Sequence, residues 1–156
     1  MAEKIADNMT EKRTGNMTGM IIEKKPVLGT AAIIRKDGKI LIAQRNKDSK
    51  LEADKWEFPG GKVEFLEDPK DTIVREIKEE LDLVIRPLKE FGIISARFDK
   101  AGEQFHVVLI FYECEYISGE IRLLDCQDAR WVFAEELNQY DFAKADIAIV
   151  KKIMGL

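Results

Sequence analysis

Between Gly60 and Leu83 the chain concentrates oxygen donors at spacings that suit a cation. Placed on a helix at ~100° per residue, Glu76, Glu79 and Glu80 fall within one arc of roughly 100°. That arc lies beside an apolar stripe of Ile73, Val74, Ile77 and Leu81. Like charges at these spacings repel by a few tenths of a kcal/mol per pair. A face that repeats the arrangement either has basic partners or holds a cation. Lys70 and Lys78 are near enough for the first reading, a solvated acidic face. Upstream, Gly60-Gly61 lets bare backbone approach a ligand and offer carbonyl or N–H groups. Glu67 adds a carboxylate between that loop and the helix. Hard oxygen donors of this kind suit Mg²⁺ or Mn²⁺, ions that usually work on phosphates.

The elements that must hold these groups are legible. Asp68 is a good N-cap, Pro69 takes the favoured first position and Asp71 puts negative charge in the first turn. These signals predict a helix over Pro69–Leu81, with Asp82 at its C-terminal cap. Before it come a β-rich stretch over Val27–Ile34, a turn at Lys36-Asp37-Gly38 and a returning strand over Lys39–Gln44. A polar loop, 46–55, leads to the short apolar step Trp56-Glu57-Phe58, stopped by Pro59. After the helix, strands are predicted over Val84–Ile85, Phe91–Phe98, Phe105–Tyr116 and Arg130–Phe133. Asp99-Lys100-Ala101-Gly102 is a hairpin turn between the second and third of these. An amphipathic helix over Asp141–Ile153 closes the chain, with Ala145, Ile149 and Ile153 on one face. Residues 1–24 are polar and aperiodic and are expected to form a flexible arm, leaving one domain over 25–156.

Composition narrows the classes of function. The 156 residues are 46% hydrophobic and 35% charged, with 25 basic against 29 acidic side chains and a net charge of −4. An acidic chain is a poor binder of duplex nucleic acid or an anionic membrane. Its partners are small molecules, or arrive with a cation. Cys114 and Cys126 are too few for a disulfide framework and His106 is the only histidine, so zinc chemistry is disfavoured. His106, in a β-rich stretch, reads as a structural or pocket-lining residue. No apolar run approaches the ~18 residues of a membrane span. The first residues lack the apolar core of a secretory signal. A cytoplasmic location is expected.

The run Gly61-Lys62-Val63-Glu64-Phe65-Leu66-Glu67, followed seven residues later by Arg75-Glu76-Ile77-Lys78-Glu79-Glu80-Leu81-Asp82-Leu83, resembles the Nudix box. It departs at Asp82 and Leu66, where the family usually carries glycine. Trp56 to Lys62 and Asp141 to Asp146 extend the resemblance to the MutT-like branch, over roughly residues 25–156. The resemblance implies an α/β/α sandwich on a mixed sheet, with the box forming a loop–helix–loop. It also implies Glu76, Glu79 and Glu80 as metal ligands together with the Gly60 carbonyl, and Arg75 holding Glu67 by a salt bridge. Lys62 and Arg45 are implied to meet substrate phosphate, although an ordinary surface position fits Arg45 equally. Glu115 falls near an extra glutamate outside the box, with Glu113 on the same strand face as its alternate. Asp146 matches a base-reading position, and a structural cap of the last helix is its other reading.

These features imply a Mg²⁺-dependent (or Mn²⁺-dependent) nucleoside triphosphate pyrophosphohydrolase that sanitises the nucleotide pool, acting as a monomer or homodimer. Glu76 is the leading general base and Glu79 the alternate. Other readings are a Nudix hydrolase of a sugar nucleotide, a dinucleotide or an RNA 5′ end, and, more remotely, a non-catalytic binding module.

Overall fold

The computed structural model describes residues 24–156. The arm expected over 1–24 therefore lies, except for Lys24, outside the described residues. Strands β1 (Val27–Lys36) and β2 (Lys39–Gln44) form the first hairpin, joined through Asp37 and Gly38 at φ 50° and 75°. Two successive left-handed residues make the tight turn whose twist matches its flanking strands. Short strands β3 (Trp56–Glu57) and β4 (Gly60–Lys62) precede helix α1 (Pro69–Leu81). The long hairpin of β5 (Val84–Lys100) and β6 (Glu103–Ser118) follows, then β7 (Asp128–Val132), a 3-10 turn (Ala134–Gln139) and helix α2 (Ile147–Met154).

The strands join one sheet in the order β3-β2-β1-β6-β5, with β4 added to β1 and β7 to β2. β1 runs parallel to β6, and every other pairing is antiparallel. Alternation divides the apolar residues between two faces. Ala31 and Ile33 join Val107, Leu109 and Phe111 beneath Ile149 and Val150 of α2. Ala32 and Ile34 join Tyr112 and Cys114 beneath Ile73, Ile77 and Leu81 of α1. The sheet is thus mixed and carries a helix on each face, the expected α/β/α sandwich. Among the described residues no helix is long and apolar enough to cross a membrane.

Two elements differ from the sequence expectation. The closing helix begins at Ile147, not Asp141. The backbone of 141–143 is committed elsewhere: Trp56 N–H donates to the Asp141 carbonyl, and Ala143 N–H to the Trp56 carbonyl. Groups paired sideways with β3 cannot also close helical turns. The separate strands expected at Val84–Ile85 and Phe91–Phe98 are one strand, β5. Register shifts flanking Pro87 and Phe91 absorb the residues that break the β pattern.

Candidate active site

Helix α1 begins and ends on side-chain and backbone caps. Asp68 accepts from Lys70 N–H at 2.8 Å, and Asp82 sits at φ 56° with its N–H bonded to the Lys78 carbonyl. The free carbonyls of Glu80 and Leu81 accept from Leu124 and Arg122 N–H, at 3.1 and 3.0 Å. The segment after β6 therefore clamps the end of the helix that carries Glu80. Glu76 and Glu80 are 4% and 6% exposed, whereas the Glu79 side chain is half exposed.

Buried glutamates need room and partners, and the two glycines supply the room. A Cβ on Gly61 would stand 2.1 Å from Cδ of Glu76. A Cβ on Gly60 would stand 2.0 Å from the Thr30 carbonyl oxygen of β1. The first glycine makes way for a carboxylate and the second for a neighbouring strand. Thr30 Oγ1 donates to the Gly61 carbonyl at 3.2 Å and fixes the rung between them.

Arg75 organises the loop. Its Nε and Nη2 reach the two oxygens of Glu67 at 2.7 and 2.9 Å, a bidentate fork. Its Nη1 reaches Glu76 at 2.8 Å and Glu79 at 3.3 Å, and Nη2 also reaches the Lys62 carbonyl at 3.3 Å. One guanidinium thus ties three carboxylates to β4. Hydrogen bonds from Arg75 hold the Glu67 carboxyl down to about 2. Leu66, just before Glu67, adopts φ 66° and is almost fully exposed beside an equally exposed Phe65. Both positions where the chain departs from the family's glycines, Leu66 and Asp82, are therefore left-handed.

The remaining expected residues divide. Lys62 lies half-buried on β4, opposite Gly29, one position beyond the Gly61 that packs on Glu76. Arg45 is not on the surface. Only 3% exposed, it pairs with Glu57 at 3.0 Å and donates twice to the Leu51 carbonyl, tying the 46–55 loop to β3. Glu57 itself was absent from the sequence expectation. Its partner at a fixed distance in space gave no periodic signal, although the alternation Trp56-in, Glu57-opposite could have flagged it. Cys126 lies by the same carboxylates: burial, then Glu80 and Glu57, push its thiol up to about 12.

Asp146 is 1% exposed, and its Oδ1 accepts from Phe58 N–H at 2.9 Å. It makes no side-chain cap on α2. Burial first, and then the Glu57 carboxylate, push its carboxyl well above the usual range. Glu115 does not join the α1 glutamates. Odd positions of β6 share the face of Val107, Leu109 and Phe111, opposite the helix, and Glu115 instead bonds Arg86. Glu113, on that same face, pairs with Arg35 at 2.7 Å. The segment outside the motif that does return to α1 is 119–127, the clamp on Glu80.

The residues fit a divalent cation in donor chemistry, though not in their present rotamers. Glu76 and Glu80 are buried oxygen donors, and Gly61 leaves the Glu76 carboxylate uncrowded. No group of three acidic, His or Cys side chains among the described residues is gathered tightly enough to hold an ion as it stands. Arg75 occupies Glu76 and Glu79, so those carboxylates must turn from the guanidinium toward an incoming cation.

Known proteins share this arrangement. A CTP pyrophosphohydrolase of Escherichia coli K12 is 37% identical over 126 residues, covering 81% of this chain and 90% of its own length. An 8-oxo-dGTP diphosphatase of the same organism is 30% identical over 133 residues, covering 85% of this chain and 99% of its own. The crystal structure of a MutT protein from Methanosarcina mazei Go1 superimposes with a TM-score of 0.73 at 25% identity, covering 86% of this chain and 97% of that one. The NUDIX domain model matches residues 25–153, and with α1, its glutamates and the Arg75–Glu67 fork in the places that motif requires, the chain belongs to the Nudix family.

Proposed function

We propose that the chain hydrolyses nucleoside triphosphates to nucleoside monophosphate and pyrophosphate with Mg²⁺ (or Mn²⁺), clearing CTP-like or oxidised nucleotides from the cytoplasmic pool. The observation that carries this reading is the adjacency of two stations on one short segment. Gly61 packs on the Glu76 carboxylate, and Phe58, three positions earlier, bonds the buried Asp146. The first station suits a polyphosphate and the second a base. The similarity to enzymes named for CTP and 8-oxo-dGTP supports the same choice.

Glu76, Glu79, Glu80 and the Gly60 carbonyl would hold the cation, which when bound neutralises phosphate charge and lowers the pKa of water. Glu76, or Glu79 as the alternate, takes the proton of the attacking water as general base. Arg75 keeps Glu67 and the loop in place while Glu76 and Glu79 turn. Lys62 meets the phosphates, and Arg45 holds Glu57 and the 46–55 loop behind them. Attack at the β-phosphorus breaks its bond to the α–β bridging oxygen and releases the monophosphate. Asp146 orients the base. A monomer or homodimer suffices, since every group named comes from one chain.

Chromatography of the products tests the proposal. Equal amounts of monophosphate and pyrophosphate are expected, none in chelator, with return on adding Mg²⁺. Glu79→Gln should keep the fold and lose most turnover. Stoichiometric diphosphate and phosphate would overturn the assigned site of attack, and near wild-type turnover of that variant at saturating Mg²⁺ would overturn the ligand set.

A further inference from the structure

A cavity of about 480 Å³ opens at the start of β1, against the far end of the β5–β6 hairpin. Four cationic side chains line it, Lys24, Lys25, Arg97 and Lys144, against one acid, Asp99. In a chain of net charge −4, that concentration of positive charge stands against the overall balance. Phe98 and Phe105 supply its apolar wall. The Lys144 ammonium is held over the cavity by a 3.0 Å bond to the Arg97 carbonyl. Neither Lys144 nor Arg97 forms an ion pair among the described residues, so both charges are available to a ligand.

Position relates this cavity to the site already described. The polyphosphate station lies at the Thr30–Gly61 rung of β1, and the cavity lies beside Pro26, four residues earlier. Four extended residues span ~13 Å. Lys144 stands two positions before Asp146, so the cavity wall continues into the base station. A nucleotide whose polyphosphate lies at Gly61 and whose base lies at Asp146 thus presents its remaining end toward four cations. A neutral ribose has no use for them.

We propose that this cavity binds a second phosphate on the substrate, esterified to the ribose 3′-oxygen and remote from the polyphosphate that is cleaved. The proposal rests on the assignment of a nucleotide to the adjoining site. Two sources carry the same chemistry: a nucleoside 5′-triphosphate with a 3′-phosphate, and the first internucleotide linkage of a 5′-triphosphorylated strand. The attraction is between partly exposed charges, so it weakens as salt rises.

Calorimetry separates the cavity from turnover. A nucleoside 3′,5′-bisphosphate should bind the wild-type chain about tenfold more tightly than the 5′-monophosphate, the yield of a few partly exposed charges. Arg97→Ala and Lys144→Gln, the latter keeping a donor for the Arg97 carbonyl, should each erase most of that gain and leave the monophosphate unchanged. Kinetics then identify the source. A gain in kcat/KM for the 3′-phosphorylated triphosphate assigns a small molecule, one for the 5′-triphosphorylated dinucleotide assigns a strand end, and one for both assigns the shared group. Equal binding of bisphosphate and monophosphate would overturn the proposal. So would variants that weaken both alike. If the bisphosphate gain holds while no triphosphate is cleaved, the cavity stands and the pyrophosphohydrolase reading falls.

Discussion

The Phe58 amide donates to Oδ1 of Asp146 at 2.9 Å, across 88 positions of sequence. The bond leaves Oδ2 as the atom a base can meet. Because burial and Glu57 push this carboxyl up, the fold favours its protonated form. A protonated carboxyl donates to a ring carbonyl such as that of 8-oxoguanine, whereas an ionised one only accepts, as from the cytosine amine. The ratio of kcat/KM for 8-oxo-dGTP over CTP should therefore fall as pH rises through the raised pKa.

Asp146→Asn keeps the acceptor for Phe58 and removes the titration. The wild-type group has a folded pKa above its unfolded one, so its stability is full below the ordinary carboxyl range and is lost as pH rises through the raised value. The Asn variant should lack that loss and show a pH-independent substrate ratio. Asp146→Ala strands the Phe58 N–H and should lower stability by about 1–3 kcal/mol. Thermal melts from pH 5 to 9 check both statements.

Arg75→Lys replaces a fork with a point charge and cannot span Glu67 and Glu76 together. Glu67 has the opposite sign to Asp146: its carboxyl, held at about 2, contributes stability that is present above its unfolded pKa near 4.5 and is lost as pH falls toward 2. The substitution should return Glu67 toward its ordinary value in a carboxyl NMR titration. Turnover should fall about 100-fold, the scale of a misplaced catalytic loop.

Gly60→Ala and Gly61→Ala should separate folding from chemistry. The first drives a methyl into the Thr30 carbonyl of a neighbouring strand, backbone that cannot yield, and the protein should express poorly or melt far lower. The second meets a side chain, the Glu76 carboxylate, which can swing aside. That variant should fold with a modest loss of melting temperature and lose most Mg²⁺-dependent activity.

Leu66→Gly should stabilise. A left-handed leucine costs about 1–2 kcal/mol, and the added chain entropy of glycine offsets about 0.4–1 of that. The net gain should raise Tm by a few degrees for a chain of this size. Asp82→Gly should gain little. Asp82, though equally left-handed, bonds Lys78 at 2.5 Å and pairs with Arg122 at 3.7 Å, contacts that glycine would forfeit.

Local chemistry made much of this molecule legible before its structure. The boundaries of α1 match expectation residue for residue, because Asp68, Pro69 and Asp82 act within one turn of themselves. Asp37-Gly38 and Ala101-Gly102 mark both tight turns for the same reason. What escaped were pairings between distant segments. Asp141–Asp146 carries a helical pattern, but the backbone of Trp56 claims Asp141 and Ala143. Arg45 is buried only because Glu57 and the Leu51 carbonyl meet it, a coincidence that no spacing rule encodes. Glu115 lies in the expected strand, yet its parity places it on the face away from α1. Register against β1, which settles that parity, is a tertiary property.

The parallel pairing of β1 with β6 also orders the events of folding. The β5–β6 hairpin closes through a two-residue turn, whereas β1 must find a partner some 80 positions downstream, Val27 beside Val107. Contacts that close long loops form late and slow the search. On the ribosome, β1, its glycine-bearing neighbour β4 and the whole acidic helix emerge before β6 exists to receive them. For that interval the repelling glutamates of α1 have no sheet to bury against. The chain becomes capable of chemistry only when its second half arrives.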